Sequence, residues 1–143
     1  MTTASSTLLA MHNQPTVTGT VKVCGAEEGT IDVAVPGTAY SIRLQGTGTV
    51  GDRCEGCIEA TAMKVHVASG GGRFIQPAHG EPRIVAGHVV AMDADGAGAV
   101  VRSVVPVHVR FEDPASAASI AVGDLVNFHV RSGASWSDAT SNA

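Results

Sequence analysis

Two stretches of this chain read alike, and that likeness limits its architecture more than any other feature. Gly19-Thr20-Val21-Lys22-Val23 leads through an acidic turn at Glu27-Glu28-Gly29 and a strand-rich run to Val50-Gly51-Asp52. Gly87-His88-Val89-Val90-Ala91 leads through an acidic turn at Asp93-Ala94-Asp95-Gly96 and a second strand-rich run to Val122-Gly123-Asp124. The copies lie roughly 70 residues apart, and the gap widens slightly towards their ends, as a small insertion would make it. Between them stands Ser69-Gly70-Gly71-Gly72-Arg73, a hinge by composition. The chain thus divides into an arm at 1–15, a first repeat at 16–68, a linker at 69–85, a second repeat at 86–134 and a tail at 135–143.

Within each repeat the apolar residues alternate as they do on a strand. Val21 and Val23 flank Lys22; Ile31, Val33 and Val35 flank Asp32 and Ala34; Ile42 and Leu44 flank Arg43. Val105, Val107, Val109 and Phe111 alternate with Pro106, His108 and Arg110, which reads His108 as solvent-facing and Pro106 as the mark of an edge or broken strand. Only the stretch from Pro114 to Ile120 offers a helical turn. Glycine turns at this density imply an all-β protein: two internally duplicated small barrels, or alternatively one pseudo-symmetric barrel or sandwich. Aromatic residues make up 3% of the chain, so valine and alanine must form the core, each burying less area than a ring. Two such slight cores should lean on each other or on a partner.

Some of these strands resemble a known family. Gly19-Thr20-Val21-Lys22-Val23-Cys24-Gly25-Ala26-Glu27-Glu28-Gly29 is similar to the opening strand and turn of cold-shock domains, which are small OB-fold barrels. Val107-His108-Val109-Arg110-Phe111 and Val122-Gly123-Asp124-Leu125-Val126-Asn127-Phe128-His129-Val130 resemble the third and fourth strands of that family. The resemblance implies a single-strand nucleic-acid surface built on stacking aromatics. Yet the matching positions are Val23, Cys24, Thr30 and Asp32 in one copy and Ala91, Met92, Ala97 and Ala99 in the other. None is aromatic, and each lost platform removes roughly 1–3 kcal/mol of stacking.

A net charge of −4 also lacks the default attraction to phosphate. A nucleic-acid groove would have to draw on Arg43, Arg73, Arg83, Arg102, Arg110 and Arg131, with Tyr40, Phe74 or Trp136 stacking. Cys54-Glu55-Gly56-Cys57 is a C-x-x-C that could be half of a zinc site, completed through the fold by Cys24 and His66. On a regular strand, however, residues three apart face opposite sides, which separates the two thiols. Asp93, Asp95 and Gly96 read as an acidic hairpin turn rather than a calcium loop, since the distant bidentate acid is missing. No nucleophile elbow or phosphate loop is present. The expectation is therefore a non-catalytic module without a cofactor, acting through protein contacts or self-association at Phe74 and Trp136. Single-strand binding stands as the alternative, and a thiol–zinc protein as the weaker third reading. No stretch is apolar for the length of a membrane helix, and the odd cysteine count points to a reducing, cytoplasmic compartment.

Overall fold

The computed structural model describes residues 17–139; the arm at 1–15 and the last four residues of the tail lie outside them. The chain is all-β. Its strands are β1 (Gly19–Glu27), β2 (Thr30–Ala34), β3 (Ser41–Gln45), β4 (Arg53–Val67), β5 (Phe74–Gln76), β6 (His79–Gly80), β7 (Ile84–Met92), β8 (Gly98–Arg102), β9 (Pro106–Phe111), β10 (Leu125–Val130) and β11 (Ser135–Asp138). A 3-10 helix at Pro114–Ser119, capped by the Asp113 carboxylate, fills the one stretch with helical character. No helix among the described residues is long and apolar enough to cross a membrane.

The strands join one mixed sheet whose pairings return on themselves twice. In the first circuit β1, β2 and β3 form an antiparallel meander, and β3 meets β11 in parallel at Gln45 and Ser135. β11 then lies antiparallel to β4, and the first residues of β4 pair back to β1 from Lys22–Arg53 to Gly19–Gly56. In the second circuit β7, β8 and β9 form the meander, and β9 runs parallel to β4 from Val107–Ile58 to Phe111–Ala62. The far end of β4 pairs with β10, which pairs with β7. β4 therefore serves both circuits as one uninterrupted strand of 15 residues. β11, which follows the second meander in sequence, completes the circuit that β1 to β3 began. Of the tail expected at 135–143, Ser135–Asp138 form a strand that lies between β3 and β4.

The Val-Gly-Asp segments do the same work in both halves. Val23 N–H donates to the Asp52 carbonyl at 2.9 Å, and Gly51 N–H donates to the Val23 carbonyl at 2.8 Å. Val89, Asp124 and Gly123 repeat these two bonds at 2.9 and 2.8 Å. Gly51 and Gly123 take φ of 100° and 99°, a turn geometry that a side chain resists. These bonds give Val89 the role of Val23, whereas the sequence match had set Val23 beside Ala91. Both strands also carry a register shift just past that valine.

Inward positions form one apolar cluster running through both circuits, from Val21, Ile31 and Leu44 to Ile58, Val107 and Phe128. The alternation read from the sequence selects these residues correctly in β1, β2 and β3. β9 departs from it: Pro106 and His108 are buried as well as Val107 and Val109. Nor is β9 an edge. Pro106 is its first residue, where the missing N–H is tolerated, and both neighbouring positions in the sheet are filled.

Candidate functional site

His108 is buried at the centre of a cluster of charged side chains. Strand β9 places it directly beside Glu59 of β4, and its Nδ1 lies 2.9 Å from a Glu59 carboxylate oxygen. On the other side its Nε2 meets Asp93 at 2.8 and 3.0 Å. The β7–β8 turn delivers Asp93: its N–H donates to the Gly98 carbonyl, and Gly96, at φ 72°, closes the loop back onto the Asp93 carbonyl. Gly98 is necessary to this arrangement, because a Cβ there would collide with the Asp93 carboxylate. Arg110 forks across the same turn, with bonds of 3.0 Å to Asp93 and 2.8 Å to Asp95. The acidic hairpin is thus a clamp for two cations.

With carboxylates at both ring nitrogens, His108 is held as an imidazolium. The bond to Glu59 pushes its pKa up to about 9; burial opposes this, and Asp93 adds to it. Arg110 holds the Asp95 carboxyl below its ordinary value. A histidine protonated this firmly cannot act as a base at neutral pH. The cluster ties β4, β9 and the β7–β8 turn together. Alternation along β9 concealed it, because sequence period says which residues share a face and not whether that face is covered.

Three of the six arginines proposed for a nucleic-acid groove are paired with carboxylates. Arg43 bonds Asp32 at 3.0 Å, Arg110 is held by Asp93 and Asp95, and Arg131 pairs with Glu112. Arg73 donates to His88 at 3.1 Å, while Arg102 is exposed at the end of β8. The thiols are equally dispersed. Cys54 shares the inward face of β4 with Gly56, Ile58 and Ala60, and Cys57 shares the outward face with Glu59. Burial raises the Cys54 thiol pKa, and burial with Glu59 pushes that of Cys57 up to about 11. Cys24 is exposed and reaches the Asp32 carbonyl at 3.4 Å. His66 is exposed beside the Lys64 carbonyl. Among the described residues no group of three or more His, Cys, Asp or Glu side chains could hold a metal ion.

Two aromatic candidates do come together. Tyr40 and Phe74 line one open groove of about 620 Å³ with Ile75, Pro77, Ile84 and Arg83. β5 carries Phe74 there because Ile75 anchors the strand in the core, and Ser103 bonds the Phe74 carbonyl at 3.1 Å. Trp136 lies elsewhere. It pairs with Ile58 across β11 and β4, packs against the core, and donates its indole N–H to Asp138 at 2.9 Å.

No protein-family model matches this chain, and no curated protein matches it significantly.

Proposed function

We propose that this chain is a non-catalytic binding and assembly module: two OB-type barrels that complete each other and present a protein-contact surface. Five-strand rings are the size of such barrels. The recurring Val-Gly-Asp bonds support descent of the two halves from one unit, with the fifth strand of each ring supplied by the other half. The observation that carries the functional reading is the state of the arginines. Arg43, Arg110 and Arg131 are paired with Asp32, Asp93, Asp95 and Glu112, which leaves Arg73, Arg83 and Arg102 of the six to meet a phosphate backbone, whose binding rests on released counterions. Both ring nitrogens of His108 are already bonded, to Glu59 and to Asp93, which leaves neither facing a substrate.

The second reading, single-strand binding, draws on Tyr40 and Phe74 sharing a groove. Labelled mixed-sequence RNA and DNA single strands, titrated at low and at physiological salt, separate the two. The module reading expects no tight, steeply salt-dependent binding. Submicromolar affinity that collapses as salt rises would replace it with the nucleic-acid reading.

A further inference from the structure

Within the groove between Tyr40 and Ile84, one feature points to a particular ligand chemistry. Its lining is largely apolar, with Phe74, Ile75, Pro77 and Ile84, and includes one cation, Arg83, which is exposed. Arg83 has no carboxylate partner among the described residues, unlike Arg43, Arg110 and Arg131. Its neighbour Glu81 turns the other way, towards Ser132 and Gly133, at 3.3 Å from each. The Tyr40 hydroxyl, 3.5 Å from the Ile75 N–H, adds a polar atom held only by a long bond.

We propose that this groove binds an acidic peptide segment, seating an apolar or aromatic side chain between Tyr40, Phe74 and Ile84 while Arg83 takes a neighbouring carboxylate. Charge complementarity decides the class. An anion beside an apolar anchor matches one unpaired guanidinium, which binds a carboxylate through paired N–H donors. A nucleic-acid strand brings a phosphate with every nucleotide and needs several free cations, whereas Arg83 is the one cation among the residues that line this groove. A lining of aromatic and apolar side chains with a single cation has the composition of a peptide site. The proposal rests on the protein-contact reading above and names the chemistry of the partner.

The test is a chemical-shift titration of the isotope-labelled full chain. The probes are N-acetyl-leucyl-phenylalanine, its C-terminal amide, and a short oligothymidine. The free acid is expected to shift the backbone signals of Gln76, Ala78 and Ile84, and the amide to bind at least about fivefold more weakly. Arg83→Gln should erase the preference for the acid, while Arg102→Gln, an exposed arginine outside the groove, should leave it intact. Equal binding of acid and amide, or no response in the groove, would overturn the proposal. So would tighter oligothymidine binding on the same residues, or concentration-dependent shifts without any probe that vanish in Phe74→Ser, which would make the occupant a second copy. Cross-links from the chain to a partner that avoid the groove, with no response to the peptide, would remove this proposal and leave the protein-contact reading standing.

Discussion

His108 is a strand residue whose charge state is set by what two other segments bring to it. Its pKa is raised from 6.5 to about 9, so its contribution to stability is complete below the ordinary imidazole range and is lost as pH rises towards 9. The shift corresponds to a few kcal/mol, on the order of 2 to 3, because Glu59 is partly screened by solvent. Urea denaturation at a series of pH values from 6 to 10 checks this. The wild-type chain should weaken across that window, and His108→Gln should start weaker and show a flatter profile. Cys57, pushed up to about 11 in the folded chain, ionises near its ordinary value once unfolded and weakens both proteins above about pH 8, so the His108 contribution is read as the difference between the two profiles. Residue identity in the core was legible beforehand, since Val21, Val33 and Leu44 follow strict alternation and are buried. His108 was not, because the carboxylates that cover it come from β4 and from a turn, and neither is its neighbour in sequence.

At the scale of elements, β11 is the strand most open to test. It is four residues long, every one of them half-exposed, and it meets β3 only at Ser135. Its backbone crosses directly over Gly56, leaving no space for a methyl group. Gly56→Ala should therefore lift β11 off β4, at a cost of about 1–3 kcal/mol. Trp136, the single tryptophan, sits on that strand and reports its release. Its emission should shift to the red, and acrylamide should quench it more readily; an unchanged spectrum would mean that β11 tolerates the methyl group. The same strand marks a limit of the sequence reading. Ser135–Asp138 has no apolar alternation, so nothing local distinguishes it from a tail. Its strand conformation comes from the vacant edge of β4. The 3-10 turn at Pro114–Ser119 was easier, because Asp113 and Pro114 signal a helix start within a few residues.

Across the whole molecule, the two halves are joined by more than the glycine hinge. β4 carries the first half into the second circuit, and β11 carries the second half into the first. Cutting the chain between Gly70 and Gly71 should leave both fragments bound together through native size-exclusion chromatography, separating only in denaturant. Fragments that part freely would mean that the crossing strands contribute little. Glycine turns and alternating valines made the all-β class plain, but crossing strands leave no mark in composition or period. One further outcome concerns synthesis. Chains begin folding as they leave the ribosome, and the strand that completes the first circuit is made roughly 75 residues after its partner Glu59. The earliest-made half must then wait, with an edge of β4 unpaired, until Ser135–Asp138 have been made. Its burden on the cell's chaperones is fixed by connectivity, whatever the final stability of the product.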